Sequence, residues 1–307
     1  MKDTVKHTSL VSFLTQFNDD RACRAYFEQI RFKDGEYCPH CGHTKINRFK
    51  DGKRFRCAKC KKDFTIITNT VFGNSKVPLQ KWFIAIYLLT TAKKGISSVQ
   101  LAKQVGVTQK TAWHMDHRIR KAMEQNNGQL FGDVEIDETY IGGKEKNKHR
   151  SKKTKGTQGR NTKTKTPVMG FVERKGDVKA SVVEDCKMRT LEKYIIDNVQ
   201  FGSQLYTDEF LSYSKIGQVY EHNAVKHSSG EYVNGDAHTN TIESFWALFK
   251  RGYIGTYHNM SKKHLQRYVD EFVYRYNGRG VDFDDMFADL VSKVSIGNNL
   301  NYNSLTA

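Results

Sequence analysis

Two Cys-x-x-Cys pairs, Cys38/Cys41 and Cys57/Cys60, constrain this chain more than any other feature. Their spacing, C-x2-C-x15-C-x2-C, is that of a zinc ribbon. Each pair forms a tight knuckle that offers two thiolates to one ion. A Zn²⁺ closed by four sulfurs keeps no open position, so the site is structural. A ribbon this small needs its metal to fold. His40 and His43 lie beside the first pair, but four cysteines already fill the sphere. Cys23 and Cys186 stand alone and read as ordinary buried residues. Paired cysteines used for metal rather than for disulfides belong to a reducing compartment.

The second constraint is Asp133-Val-Glu-Ile-Asp-Glu-Thr-Tyr-Ile-Gly-Gly143. Val134, Ile136 and Ile141 alternate with Glu135, Asp137 and Thr139, which predicts a β-strand with one buried face. An acid such as Asp137 is a poor choice among β-formers, so it is either a solvated edge residue or a working group. Two later acids, Asp208 and Glu243, stand in matching contexts and favour the second.

Charge sets the partner. Lys and Arg total 50 against 33 acids, a net +17 with a pI near 9.5, and such a field attracts a polyanion. With 38% hydrophobic residues the 307-residue chain can still build two or three packed domains. The longest apolar run, Trp82 to Leu89, falls far short of the ~20 residues that cross a bilayer. The N-terminus lacks the pattern of a signal peptide. A cytoplasmic, nucleoid-associated protein that makes no use of a membrane is expected.

The domain plan follows the chain. Residues 1–35 read as a helical segment, with Asn18-Asp-Asp20 as a break and new cap. Residues 36–75 are the ribbon. Residues 76–128 read as a helix-turn-helix domain: an apolar helix after Pro78, a short helix capped by Ser97 or Ser98, a turn at Gly106, and a third helix capped by Thr108. The set Gln109, Lys110, His114, Arg118 and Arg120 can face a major groove. Residues 129–280 form the catalytic domain, and 281–307 read as a C-terminal tail, polar and loose from Asn298.

Within the catalytic domain the Asp137 strand is followed by a basic loop, 144–166, that has no apolar residues to pack. Its lysines, Lys152 and Lys153 among them, suit phosphate contacts without reading sequence. A hairpin (Pro167 to Val172, Val178 to Val183), a helix (Thr190 to Val199), a strand ending at Asp208 and a helix from Thr239 to Gly252 complete the order. That order fits an α/β, ribonuclease-H-like core, a mixed sheet with flanking helices. Ile242, Phe245, Trp246 and Phe249 make one stripe of the last helix, with Asn240, Glu243 and Lys250 beside it. A final amphipathic helix spans Leu265 to Tyr276.

On Cys38-Pro-His-Cys41 with Cys57 and Cys60, Glu135 to Gly143, Tyr206-Thr-Asp208, the long block His238 to His258 and Lys263 to Asn277, the chain resembles a bacterial insertion-sequence DDE transposase with an N-terminal zinc ribbon, the ISXO2-like group. The resemblance covers most of residues 36 to 280. It implies a catalytic triad of Asp137, Asp208 and Glu243 holding two Mg²⁺ or Mn²⁺ ions, beside one structural Zn²⁺. Related proteins vary at the third acid, some using Asn, so Asn240 rivals Glu243. Lys250, with Arg251 beside it, is then a DNA contact, and His238 can hold the backbone. The implied function is binding of transposon ends, their metal-dependent cleavage and strand transfer into double-stranded target DNA, by a homodimer. The alternatives are a DNA-binding regulator with an inactive core and a structure-specific nuclease on the same fold.

Overall fold

The computed structural model describes residues 9–125, 128–143, 145–155, 161–208, 219–225, 238–297 and 300–306. The chain divides into two compact units, Met1–Met123 with Gly280–Ala307, and Glu124–Arg279.

The first unit opens with α1 (Leu10–Gln16) and α2 (Asp20–Arg31), capped by the side chains of Ser9 and Asp19. The expected break at Asn18 is the joint between them. Strands β1 (Ile46–Arg48), β2 (Arg54–Cys57) and β3 (Asp63–Thr65) form an antiparallel sheet in that order. Phe55 and Phe64 stack across its last two strands, centroids 5.3 Å apart. Helices α3 (Leu79–Thr91), α4 (Ser98–Val105) and α5 (Gln109–Ala122) follow. Ser97 and Thr108 accept from the amides of Gln100 and Thr111 and so start α4 and α5. Gly106, at φ 67°, ends α4 in the left-handed conformation that a side chain resists.

The expected tail is corrected here. Residues 281–307 contain α9 (Phe283–Ile296) and the short α10 (Tyr302–Thr306). Phe287, Leu290, Val291 and Val294 recur at helical spacing and are buried. The Phe287 ring lies 5.1 Å from Phe13, 5.7 Å from Phe17 and 5.5 Å from Phe83. The last long helix therefore completes an aromatic core begun by the first.

The second unit is a five-stranded sheet clad by helices. Its elements are β4 (Asp133–Ile141), β5 (Thr166–Glu173), β6 (Val178–Val182), α6 (Met188–Asn198), β7 (Gln204–Asp208), β8 (Glu221–Val225), α7 (Asn240–Gly252) and α8 (Leu265–Asn277). Strand order is β6-β5-β4-β7-β8, antiparallel on the β6-β5-β4 side and parallel from β4 through β7 to β8. Strand β8 was not expected.

Alternation along β4 sorts its residues between two cores. Val134 and Ile136 pack with Met169, Phe171, Leu191 and Ile195 on the α6 face. Ile141 packs with Val168, Val172, Ile242, Trp246 and Phe272 on the α7–α8 face. Glu135, Asp137 and Thr139 share the face of Ile141 by the period of two.

The basic loop carries two short 3-10 turns, Glu145–Asn147 and Arg150–Lys152. Glu145 pairs with Lys148 and accepts from the Thr154 amide at 3.0 Å. Lys144, Arg160, the Lys146 side chain and the start of the expected tail at Asn298 lie outside the described residues. Among the described residues no helix is long and apolar enough to cross a membrane.

Candidate active site

Parallel pairing of β4 with β7 sets Asp133 against Gln204, Val134 against Leu205 and Glu135 against Tyr206. Two residues further along each strand stand Asp137 and Asp208. Both belong to the face of Glu135 and Tyr206, so the two aspartates are at one level on neighbouring strands.

On its other side Asp137 pairs with Gly170 of β5. A Cβ at Gly170 would lie 2.4 Å from Cζ2 of Trp246 and 2.9 Å from Cδ1 of Ile242. The bare backbone there lets α7 lie directly on the sheet beside Asp137. Glu243, in the first turn of α7, is exposed and accepts from Thr239 Oγ1 at 3.1 Å.

Burial pushes the Asp137 carboxyl up to about 7. The charges of Glu138, Asp208 and Glu243 add to the rise, and the Glu138 amide opposes it. The charges of both other expected acids, Asp208 on β7 and Glu243 on α7, therefore reach Asp137. The three acids are not drawn into a closed ligand shell: among the described residues only the four cysteines bring three or more ligand atoms all within 4.8 Å of one another.

Helix α7 is tied to β4 by a residue the sequence reading passed over. The Thr239 side chain makes no cap bond at the start of α7. Instead the Glu135 carboxylate accepts from the amides of Thr241 at 2.8 Å and Ile242 at 3.0 Å, and from Thr241 Oγ1 at 3.0 Å. It thus satisfies two of the unpaired N–H groups that every helix start exposes, and its charge suits the helix dipole. Glu135 is fully buried, and Arg174 compensates it through Nε at 3.1 Å. Arg174 also donates to the His238 carbonyl at 3.0 Å and lies 3.8 Å above the Tyr206 ring. The only trace in the sequence was a second acid on the Asp137 face of the strand.

The four ribbon cysteines gather as their spacing predicts. Sγ of Cys38 lies 3.7 Å from Cys60, and Cys41 lies 3.6 Å from Cys57. Four sulfurs at about 2.3 Å from a central Zn²⁺ would stand about 3.8 Å apart, so the set fits a tetrahedral zinc ion. Burial lifts the Cys38 thiol to about 11. At Cys57 burial acts the same way, but the amides of Cys60 and Lys59 with the Cys41 side chain outweigh it and bring the thiol down to about 6.

The profile of the ISXO2-like transposase domain matches residues 129–277, and that of the transposase zinc-ribbon domain matches residues 18–63. An uncharacterized protein in transposable element ISH50 of Halobacterium salinarum is 31% identical over 274 residues, which cover 84% of this chain and 91% of that protein. The chain belongs to the ISXO2-like transposase family. A chain of the crystal structure of the Mos1 strand transfer complex shares 12% identity over 69% of this chain and 78% of its own, at a TM-score of 0.28, a likeness too loose to argue from.

The chain places its other expected site residues unevenly. Lys250 and Arg251 are exposed at the far end of α7, and Asn240 is exposed at its first residue. Lys152 and Lys153 are exposed in the basic loop. His238 is partly exposed, its Nδ1 3.1 Å from Glu135 Oε1. On α5, Gln109 is exposed and donates to Ser98 Oγ at 2.9 Å. Lys110 is exposed with Nζ 4.5 Å above the Tyr302 ring.

The rest of that helix corrects the expected groove-facing set. His114 is half-buried, with Nε2 3.0 Å from the Leu300 carbonyl, and burial lowers its pKa. Arg118 is only 4% exposed: it donates to the Gly73 carbonyl at 2.8 Å and lies 5.2 Å above the Trp82 ring. Burial brings its guanidinium down to about 10. Arg120 is likewise buried.

Proposed function

We propose that this transposase binds the ends of its element and cleaves and joins DNA at Asp137, Asp208 and Glu243. The observation that carries the reading is the common level of Asp137 and Asp208 on one sheet face, with α7 bringing Glu243 to the same face. The strand order, with the first acid on the middle strand and the second on its parallel neighbour, supports a ribonuclease-H-like core.

Three carboxylates are an oxygen-only donor set that suits Mg²⁺ or Mn²⁺. Burial first, and then the charges of Glu138, Asp208 and Glu243, raise the Asp137 carboxyl, and a cation bound there would favour its ionised form. Asp137, Asp208 and Glu243 would hold the ions, with Asn240 the rival third donor. Ions bound there would offset the charge that develops in an in-line displacement.

In the first step water attacks the phosphodiester at the element end, and the bond to the 3′ oxygen breaks, freeing a 3′-OH. In the second that hydroxyl attacks a target phosphodiester and a target 3′ oxygen leaves. Lys250 and Arg251, exposed beyond Glu243 on the same helix, are suited to neutralise the backbone.

For end recognition, helices α3 to α5, with the capped starts of α4 and α5 and a left-handed Gly106 between them, support a helix-turn-helix reading. Gln109 and Lys110 at the first turn of α5 would be its groove-facing residues. Joining two ends calls for two copies on DNA.

The test is cleavage of labelled element ends by the full-length protein in Mg²⁺. Wild type cuts and joins them, and Asp137→Ala does neither. Equal activity of the two would end the proposal.

A further inference from the structure

We propose that Glu135 is a positioning residue for this reaction: from β4 its buried carboxylate caps α7 and so sets the distance between Glu243 and Asp137. The inference rests on the reading of those acids given above and deepens it.

The geometry makes one link of two acids' supports. Asp137 is two residues beyond Glu135 on the same strand and face, and Glu243 is one residue beyond Ile242, the last amide that Glu135 holds. Any motion of the start of α7 against β4 moves Glu243 against Asp137 and must break bonds to Glu135. The carboxylate accepts from two amides, one hydroxyl and one guanidinium, all within 3.1 Å. Arg174 reaches further, to the His238 carbonyl just ahead of the helix and to Tyr206, two residues before Asp208. Glu135 and the Arg174 that pairs with it thus reach both the start of α7 and Tyr206 on β7.

An acid is needed for this task. Arg174 Nε lies on one oxygen of Glu135 and the amides of Thr241 and Ile242 on the other, so Glu135→Gln, whichever way its amide turns, points an NH2 group at a donor and loses at least one bond. The helix start would then be less sharply placed, and the acids would close around a cation less readily.

The experiment uses the full-length, zinc-loaded protein with Glu135→Gln, Thr241→Val and Thr241→Ser. Hydrogen exchange reads the amides of Thr241 and Ile242. End cleavage across a Mg²⁺ titration reads the concentration for half-maximal rate. Loss of the cap speeds exchange at both amides and raises that concentration about tenfold in Glu135→Gln and about threefold in Thr241→Val, the scale of one or two hydrogen bonds. Thr241→Ser, which keeps the hydroxyl, stays near wild type, and high Mn²⁺ recovers much of the Glu135→Gln rate.

Unchanged exchange at the two amides in Glu135→Gln overturns the cap itself. Faster exchange with an unchanged Mg²⁺ requirement overturns positioning and leaves a purely structural bond. If wild type shows no metal-dependent cleavage, or Asp137→Asn cuts as well, the reading of the acids fails, and the proposal with it. The amide measurement keeps that failure distinct from failure of the cap.

Discussion

Asp137 and Asp208 stand at one level on neighbouring parallel strands, two residues past the paired Glu135 and Tyr206. The Asp137 carboxyl, at about 7 against an ordinary 3.8, feels burial first and then the acids around it. The sign of the consequence is fixed by linkage. Between pH 4 and 7, roughly, the folded protein holds a proton there that the unfolded chain releases, so stability is highest below that window and falls as pH rises through it. Without added Mg²⁺, wild type should therefore lose stability relative to Asp137→Asn between pH 5 and pH 8, on the order of a few kcal/mol. Asp208→Asn should shrink the loss. Urea unfolding at the two pH values reads both; a pH-independent gap between wild type and Asp137→Asn contradicts the shift.

Gly170 is the place where α7 meets the sheet. Gly170→Ala would drive a methyl into Trp246 and Ile242, and overpacking of this kind costs about 1–3 kcal/mol. Because the same contact seats α7 beside Asp137, end cleavage should fall as well. Gly143→Ala, where an added Cβ meets nothing within 4 Å, serves as the neutral comparison. Thermal unfolding and cleavage rates of the two variants check this.

The ribbon should depend on its metal. Cys41→Ser or Cys57→Ser leaves three sulfurs where four close the sphere, and a strong chelator removes the ion altogether. Either treatment should abolish stoichiometric zinc in metal analysis and unfold residues 36–66 in hydrogen exchange. Retained zinc in both variants would contradict the assignment.

Arg118 and Lys110 should now behave differently. Arg118→Ala removes a buried side chain from Trp82 and the Gly73 carbonyl, and should lower the unfolding temperature. Lys110→Ala should leave folding intact and reduce the salt dependence of DNA binding by about one phosphate contact. A binding titration against salt concentration distinguishes them; a smaller slope for Arg118→Ala at wild-type stability would restore that residue to the DNA face.

Much of this architecture was legible because its signals are local. The cysteine spacing foretold the ribbon, and period two around Asp137 foretold a strand whose observed span is Asp133–Ile141. Other features depend on contacts distant in sequence. Arg118 read as exposed because a charged residue on an amphipathic helix usually is; Trp82 and Gly73, which bury it, could not be foreseen from α5. Strand β8, Glu-His-Asn-Ala-Val, has weak strand propensity and forms beside β7. Helix α9 carries a readable stripe in Phe287, Leu290, Val291 and Val294, set among polar residues that suggest a tail. Glu135 looked like the polar half of an alternating strand, and its role depends on a helix more than a hundred residues away.

The most direct test of the account is Mn²⁺ binding to the full-length, zinc-loaded protein, followed by calorimetry, for wild type, Asp137→Asn, Asp208→Asn, Glu243→Gln and Asn240→Ala. The account predicts Mn²⁺ binding by wild type, its loss in both aspartate variants, and weakening in Glu243→Gln with Asn240→Ala close to wild type. Undiminished binding by Asp137→Asn and Asp208→Asn would contradict it.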